Sequence, residues 1–186
     1  MKLYIKNMVC SRCIMIVRDE LLKAGIQPLR VELGEIEVEK KPSESQLATL
    51  KPALESLGFE LIDDKKSRII EKIKNEIVTL VHHSGENITT NLSTMISDKL
   101  HYDYNYLSNL FSESEGTTIE KYFIGQRIEK VKELLAYDEL SLTEIASQLG
   151  YSSAAYLSSQ FKKVTGLTPT SYKALEEHQR RNIEEL

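Results

Sequence analysis

The sequence predicts two domains: an α+β domain with the element order βαββαβ over residues 1–64, and an all-α domain with two helix-turn-helix motifs over residues 67–186. Three observations carry this prediction. Short alternating apolar runs and two amphipathic segments fill the first 62 residues. A charged run, Asp63 to Lys66, then separates them from the remainder. Every later segment has helical periodicity, and the chain matches itself at an offset of about 50 residues.

In the first domain, alternating residues predict four strands, and helical spacing predicts two helices between them. The strands are expected at 3–5, 29–33, 36–38 and 59–62, and the helices at 11–24 and 43–57. Gly34 would turn the central hairpin. Ser43 or Ser45 would cap the second helix, and Pro52 predicts that this helix is kinked or shorter than its periodicity indicates.

In the second domain, helical periodicity continues to the end of the sequence. Helices are expected at 69–82, 92–100, 103–115, 118–136, 142–149, 152–165 and 169–184. No alternating segment interrupts them, so this part of the chain is expected to be entirely helical.

The composition, 41% hydrophobic and 28% charged over 186 residues, is typical of a soluble globular protein. No apolar stretch approaches the roughly 20 residues that a membrane span requires, and charges interrupt the first residues, so neither a signal peptide nor a membrane partner is expected. We therefore expect a cytoplasmic protein. No nucleophile–base–acid set and no phosphate-binding loop is recognisable, so we do not expect an enzyme.

The formal net charge of −4 argues against nucleic acid as a partner. Residues 1–66 hold 11 basic and 11 acidic side chains, whereas residues 67–186 hold 13 basic and 17 acidic ones. The acidic excess is distributed unevenly within residues 67–186. Residues 98–121 hold two basic and five acidic side chains, a net charge of −3, and residues 150–173 hold three basic and no acidic ones, a net charge of +3.

The internal repeat aligns two segments of the second domain. Its matched pairs are Ile96 with Ile145, Leu100 with Leu149, Tyr102 with Tyr151, Tyr106 with Tyr156, Leu107 with Leu157, Ser108 with Ser158, Phe111 with Phe161, Gly116 with Gly166, Thr118 with Thr168 and Tyr122 with Tyr172. A solenoid needs at least three such copies to bury a core. Two copies of helix, tight turn and helix therefore predict paired helix-turn-helix motifs.

The physical pattern is clearest in the second copy. Its first helix would end at Gly150, where a positive φ costs little, and Ser152 or Ser153 would cap the next helix. Four apolar residues would pack inward: Ile145, Leu149, Leu157 and Phe161. Small residues such as Ala155 at the start of the second helix would allow close approach to a DNA major groove, which is about 12 Å wide.

Residues 67–175 resemble the DNA-binding domain of the AraC/XylS family of transcription regulators. The matching residues are Ile145-Ala146, Gly150-Tyr151-Ser152-Ser153, Tyr156-Leu157-Ser158, Phe161-Lys162-Lys163, Gly166-Leu167-Thr168-Pro169 and Tyr172-Lys173, with Gly116-Thr117-Thr118, Tyr122, Arg127-Ile128 and Leu134-Leu135 before them. The resemblance implies two recognition helices that a long helix joins and that read successive major grooves of double-stranded DNA.

The resemblance also implies roles for individual residues. Base-facing residues would be Tyr104, Asn105, Ser108 and Asn109 in the first motif and Ala155, Tyr156, Ser158 and Ser159 in the second. Phosphate contacts would come from Arg127, Lys162, Lys163 and Lys173. Because only the second motif is basic, we expect it to dominate phosphate binding, with a shallow salt dependence. The alternative is a helical bundle that binds no DNA. Four tyrosines are predicted to be core residues in either case: Tyr102, Tyr122, Tyr151 and Tyr172.

Cys10 and Cys13 are the only cysteines of the chain and lie between the first strand and the first helix. Two thiols at this spacing can reach one ion, and thiolates select soft metals such as Cu(I) or Zn(II). The helix N-terminus and Arg12 would favour the thiolate. A redox dithiol and a ligand-free structural pair are the alternatives.

Residues 1–64 resemble a heavy-metal-associated domain of the copper-chaperone type, which has a ferredoxin-like fold. The matching residues are Met8, Cys10, Cys13, Val17, Leu21, Gly25, Val31, Leu57, Gly58 and Phe59. The resemblance implies that Cys10 and Cys13 are the metal ligands and that Met8 is a packed side chain. Two protein ligands are too few for a structural zinc site, which requires four. An exchangeable ion fits such an open site better, or a partner such as a second copy in a homodimer would supply the further ligands.

Together these patterns predict a sequence-specific DNA-binding transcription regulator that responds to a soft metal through Cys10 and Cys13. One alternative is a DNA-binding regulator whose N-terminal domain is a metal-free module for a partner protein. A second is a metal-carrier protein whose helical part docks a client, which the acidic balance favours.

Overall fold

A computed structural model describes residues 1–62, 64–83 and 91–174 of the protein. The chain divides into an N-terminal unit, Met1–Asn75, and a C-terminal unit, Glu76–Leu186. The predicted domain ranges, 1–64 and 67–186, place the boundary earlier along the chain. None of the helices within the described ranges combines the length and the apolar character that crossing a lipid bilayer requires.

The N-terminal unit has the element order β1-α1-β2-β3-α2-β4, followed by most of α3. Its strands are Lys2–Lys6 (β1), Pro28–Glu32 (β2), Glu35–Val38 (β3) and Glu60–Ile62 (β4). Its helices are Ser11–Lys23 (α1), Glu44–Ser56 (α2) and Lys65–Val78 (α3), of which the last continues into the C-terminal unit. The first six elements follow the order that the sequence predicts.

The four strands form one antiparallel sheet in the order β2-β3-β1-β4. Leu3 lies opposite Ile36 and Ile5 lies opposite Leu61, so β1 is central and pairs with both β3 and β4. The sheet and two helices enclose a core whose fully buried members are Ile5, Met8, Val17, Leu21, Ile36, Leu50 and Leu54. Each fully buried side chain of this size contributes about 1.5–3 kcal/mol.

Helix α2 begins at a capping box, in which the Ser43 hydroxyl accepts from the backbone N–H of Gln46 and the Gln46 side chain accepts from the N–H of Ser43. It extends four residues beyond Pro52, so the predicted shortening is wrong. The ring of Pro52 is exposed, and Leu50 and Leu54 on either side are fully buried. Their burial offsets the backbone hydrogen bond that proline cannot make.

The first part of α3 packs on the N-terminal unit rather than lying beyond it. The Arg68 guanidinium lies 4.8 Å and the Lys72 ammonium 5.5 Å from the centroid of the Tyr4 ring. The Asn75 side chain donates to the backbone carbonyl of Leu33 at 3.1 Å. The charged run that precedes α3 marks the end of the sheet, while the unit itself continues to Asn75.

Every regular element of the C-terminal unit within the described residues is helical, as predicted. After α3, a five-residue π-helical turn occupies Thr79–His83. The helices that follow are Leu92–Leu100 (α4), Tyr104–Glu115 (α5), Ile119–Tyr137 (α6), Leu142–Gln148 (α7), Ala154–Thr165 (α8) and Pro169–Lys173 (α9). The last predicted helix, 169–184, falls outside the described residues beyond position 174.

Helix α6, with 19 residues, lies between two helix pairs and buries side chains against both. Its buried apolar residues include Ile119, Ile128 and Val131. It also buries an ion pair, in which the Lys132 ammonium lies 2.7 Å from the Glu129 carboxylate. We call α4–α5 the first motif and α7–α8 the second motif.

Candidate nucleic-acid interface

Both motifs have tight turns with a capped second helix. In the first motif, His101 has a positive φ of 58° after α4, and the Asp103 carboxylate caps α5 by accepting from the N–H groups of Asn105 and Tyr106. In the second motif, Gly150 has a φ of 67°, and the Ser153 hydroxyl caps α8. The sequence predicted either Ser152 or Ser153 as the cap of α8. In the structure the cap is Ser153, because its hydroxyl accepts from the Tyr156 N–H at 3.1 Å.

The repeated apolar residues occupy equivalent buried positions in the two motifs. The fully buried pairs are Ile96 with Ile145, Leu107 with Leu157 and Phe111 with Phe161. The ring centroid of Phe111 lies 5.7 Å from that of Tyr122, and that of Phe161 lies 5.5 Å from that of Tyr172. The internal repeat is therefore a repeat of core packing.

Three of the four tyrosines predicted as core residues are buried: Tyr122, Tyr151 and Tyr172. For Tyr102 the prediction is wrong, because this side chain is only half-buried. It packs against Tyr106 at a centroid distance of 5.6 Å, near the surface of the first motif.

The outer face of α8 carries the residues predicted to meet DNA. Ala155, Tyr156 and Ser159 are exposed, and Ser158 is half-buried with its hydroxyl donating to the backbone carbonyl of Ala154. The Tyr156 hydroxyl accepts from the Gln160 amide at 3.2 Å. Small side chains at the start of this helix leave its backbone accessible.

The outer face of α5 has the same pattern of exposure at the matched positions but a different electrostatic character. Asn105 and Asn109 are exposed and Ser108 is half-buried. The Tyr104 hydroxyl donates to the Glu120 carboxylate at the start of α6. Burial and this carboxylate raise the pKa of Tyr104, and the hydrogen bond from Tyr104 lowers the pKa of Glu120. A carboxylate thus stands beside the first predicted base-facing residue of this motif.

One basic residue of the second motif and one from α6 line a crevice of about 330 Å³ between α6 and α8. Lys163 and Gln160 line it from α8, and Lys121 lines it from α6. Lys162 and Lys163 are both exposed in the last turn of α8. The sequence analysis missed Lys121, because its proximity to Lys163 arises from packing and leaves no signal in the spacing.

Two predicted phosphate-binding residues have other partners in the structure. The Lys173 ammonium pairs with the Asp138 carboxylate on the surface, a type of pair that contributes little and that a phosphate can displace. The Arg127 guanidinium is half-buried and stacks on the ring of Tyr151, with 3.6 Å between its Cζ and the ring centroid. The geometry gives Arg127 a packing position between aromatic rings.

The cysteine pair occupies the N-terminal end of α1 in the N-terminal unit. Cys10 is the N-cap residue of α1, and its Sγ lies 3.4 Å from that of Cys13. Burial alone would raise the pKa of Cys10, but hydrogen bonds from the Cys13 backbone and thiol outweigh it, so this pKa lies below its ordinary value. Burial raises the pKa of Cys13. Met8 is fully buried in the core.

Comparison with known proteins finds a matching family and relatives for the helical region. Residues 96–174 match a family described as "Helix-turn-helix domain". The chain is 29% identical over 154 residues to "Uncharacterized HTH-type transcriptional regulator YtdP" of Bacillus subtilis, covering 78% of this chain and 20% of that protein. It is 27% identical over 100 residues to the "Msm operon regulatory protein" of Streptococcus mutans, covering 53% of this chain and 35% of that protein. The chain thus spans about a third or less of the length of these relatives.

A solved structure gives the same result at the level of the fold. The C-terminal domain of AraT, a response regulator from Geobacillus stearothermophilus, superposes with a TM-score of 0.51 and 26% identity, covering 64% of this chain and 97% of that one. The named relatives are regulators and not enzymes, in agreement with the expectation from the sequence. Residues 96–174 therefore form a helix-turn-helix domain, a kind of domain that the named regulators share.

Proposed function

We propose that the protein is a sequence-specific DNA-binding transcription regulator, acting in the cytoplasm, that reads two successive major grooves with α5 and α8. The observation that carries the proposal is the pair of matching motifs, each with a capped second helix. Each of these helices buries its inner face and presents small or polar residues outward. Such a face fits the major groove and leaves short side chains within reach of base edges.

The second motif supplies most of the phosphate binding in this proposal. Lys162 and Lys163 are exposed, and Lys121 lines the same crevice between α6 and α8 as Lys163. Within the described residues, none of these three ammonium groups has a carboxylate partner, so each is available to a phosphate. The exposed Glu113 and the Glu120 carboxylate put negative charge on the first motif instead, which opposes phosphate binding there.

Selection from a pool of random-sequence duplex DNA by the full chain tests the proposal. We expect enrichment of a bipartite sequence whose half-sites lie about one helical turn, roughly 10 base pairs, apart. Tyr156→Ala should relax the base preference in one half-site only. A matched change at the exposed residue Thr143, Thr143→Ala, should leave both half-sites unchanged. Failure of the full chain to enrich any sequence at low salt would contradict the proposal.

We infer a second function for the N-terminal unit, which is exchangeable binding of a soft metal ion by Cys10 and Cys13. The strand order β2-β3-β1-β4 with two helices between strands supports the assignment of a ferredoxin-like, heavy-metal-associated domain. The adjacent Sγ atoms, the partly exposed position of Cys10 and its lowered pKa support a thiolate site. In this proposal the ion changes the DNA affinity of the chain.

The donor set fits Cu(I) better than a structural Zn(II), because zinc in such sites takes four ligands. Within the described residues, no third cysteine, histidine or carboxylate joins the pair. Bound Cu(I) would place a positive charge between the two thiolates. A second chain could supply two further thiolates and thereby form a homodimer, and sedimentation of the metal-loaded chain measures this.

Anaerobic titration of the full chain with Cu(I), in competition with a chromophoric chelator, tests the metal site. We expect the wild type to bind Cu(I) and Cys10→Ser/Cys13→Ser to lose that binding, while Met8→Leu, a matched change in the core, retains it. Metal should shift the DNA affinity of the wild type several-fold and leave that of the double variant unchanged. If copper binds without changing DNA affinity, the metal-carrier alternative is favoured. If neither Cu(I) nor Zn(II) binds, the N-terminal unit is better described as a partner-binding module.

A further inference from the structure

Arg127 lies close to two aromatic side chains, one on its own helix α6 and one in the turn of the second motif. Its Cζ is 3.6 Å from the centroid of the Tyr151 ring and 5.2 Å from that of Phe123, which lies one turn earlier on α6. Tyr151 belongs to the turn between α7 and α8. The guanidinium therefore joins the connecting helix α6 to the turn of the second motif.

The stacked arrangement leaves several polar atoms without hydrogen bonds. Within the described part of the chain, Nε and Nη2 of Arg127 and the hydroxyl of Tyr151 are buried and have no hydrogen-bond partner. Unsatisfied buried donors destabilise a fold, so hydrogen bonding does not account for the position of these atoms, and the stack on the Tyr151 ring is the contact that holds the guanidinium in place. A planar cation stacked on a ring fixes the angle between the two groups as well as their distance.

Tyr151 in turn contacts an exposed residue on the outer face of α8. The Tyr151 ring meets the Tyr156 ring edge-on at a centroid distance of 6.2 Å. Tyr156 is the exposed residue on α8 that the proposed function places against bases. Arg127, Tyr151 and Tyr156 thus form a continuous series from α6 to the surface proposed to meet DNA.

The first motif is connected to α6 directly through a short segment of backbone. Three residues, 116–118, join α5 to α6, so the backbone itself limits their relative orientation. Helix α8, in contrast, is separated from α6 by residues 138–153, which include α7, so side-chain contacts between α8, its preceding turn and α6 set its orientation. The Arg127 stack is a contact of this kind.

We propose that Arg127 is a positioning residue that sets the orientation of α8 relative to α6 and thereby the separation of the two DNA half-sites that the protein accepts. This inference rests on the proposed function. It assigns to Arg127 a role in selecting half-site spacing, in place of the phosphate contact that the sequence suggested. Each base pair added between half-sites moves and rotates the second groove, so a change in orientation alters which spacing fits.

The test uses the duplex that the full wild-type chain selects from a random pool, together with versions in which the half-sites are one base pair closer or farther apart. We expect the wild type to prefer the selected spacing by roughly tenfold, comparable to a mismatched base pair. Arg127→Met should reduce that preference to less than about threefold without changing the slope of affinity against salt. Arg127→Lys keeps the charge but not the planar stack, so it should behave like Arg127→Met.

Two further variants separate positioning from phosphate binding and from damage to the fold. Tyr151→Phe keeps the ring and should retain the wild-type spacing preference. Lys162→Gln should weaken binding equally at every spacing and make the salt slope shallower by about one. Circular dichroism of each variant verifies that it is folded.

Three outcomes overturn the inference. If Arg127→Met weakens binding equally at every spacing and makes the salt slope shallower, Arg127 is a phosphate contact. If its spacing profile equals that of the wild type, the stack has no positioning role. If the wild-type chain selects no duplex at all, the proposed function fails, and this inference fails with it. The first two results leave the proposed function intact.

Discussion

Phe111 in the first motif and Phe161 in the second are both fully buried, and each ring lies beside a tyrosine at nearly the same distance, 5.7 Å and 5.5 Å. The outer faces of the same two motifs differ in charge. Residues 98–121 have a net charge of −3 and residues 150–173 a net charge of +3. The two motifs thus share a core and differ in exposed charge, and in the proposed function that charge decides how much each copy contributes to DNA binding.

The largest expected effects test whether the two cores are equivalent. Phe111→Ala and Phe161→Ala should each lower the free energy of unfolding by about 3–5 kcal/mol, because each removes a fully buried ring and leaves a cavity. Urea denaturation monitored by circular dichroism measures both, and Leu167→Ala, at an exposed position, serves as the control. A much smaller loss for one phenylalanine would show that the two cores are not equivalent.

The next effect tests whether the second motif dominates phosphate binding. Lys162→Gln/Lys163→Gln should lower DNA affinity by roughly tenfold or more and make the salt slope shallower by about two, because two phosphate contacts are lost. Fluorescence anisotropy between 50 and 200 mM salt, the range over which phosphate contacts change affinity most, measures both quantities.

The matched change in the first motif should act in the opposite direction. Glu113→Gln removes an exposed negative charge from α5, so DNA affinity should rise slightly in the same anisotropy assay. Equal losses of affinity from the lysine and glutamate variants would contradict the division of labour between the motifs.

A smaller effect concerns the hydrogen bond between Tyr104 and Glu120. Tyr104→Phe removes a donor on the surface of the first motif, so the free energy of unfolding should fall by less than about 1 kcal/mol. The pKa of Glu120, which this bond lowers, should rise toward its ordinary value. NMR titration of the glutamate side chains measures the pKa, and an unchanged value would show that the bond does not form in solution.

The smallest expected effect is a dependence of folding stability on pH. It involves α6, the helix between the two motifs. The His82 ring shares a hydrogen bond with the Gln126 side chain of α6 at 2.9 Å, and burial lowers the pKa of His82. The unfolded chain therefore takes up a proton before the folded chain does, and the folded state loses stability as the pH falls below about 6.5.

Urea denaturation at a series of pH values measures this loss. His82→Gln should flatten the profile between about pH 6.5 and the lower folded pKa, because the substituted side chain does not titrate. An unchanged slope in the variant would assign the acid sensitivity to another group.

The sequence predicted the features of the C-terminal unit that depend on local order along the chain. The pairs Leu107 with Leu157 and Phe111 with Phe161 follow from one offset, since a helix buries the same positions each time it recurs. The turn at Gly150 was predicted as well, and the cap of α8 was narrowed to Ser152 or Ser153, because turns and caps act on their immediate neighbours.

Residues whose surroundings come from distant parts of the chain were not predictable in this way. Arg127 lies 24 residues from Tyr151, and no spacing indicates that they stack. Lys121 and Lys163 line one crevice for the same reason. In the N-terminal unit, the charged run before α3 suggested a boundary, but Asn75 contacts Leu33 across 42 residues of sequence. A charged run indicates an exposed segment of the chain. It does not indicate what the following helix packs against.

The most direct measurement of the central claim is guanine methylation interference on the selected duplex with the full chain, because methylation at N7 blocks major-groove contacts. We expect interference in two segments about one helical turn apart. It should be stronger in the half-site whose base preference depends on Tyr156. Interference that is confined to one segment, or stronger in the half-site of the first motif, would contradict the account.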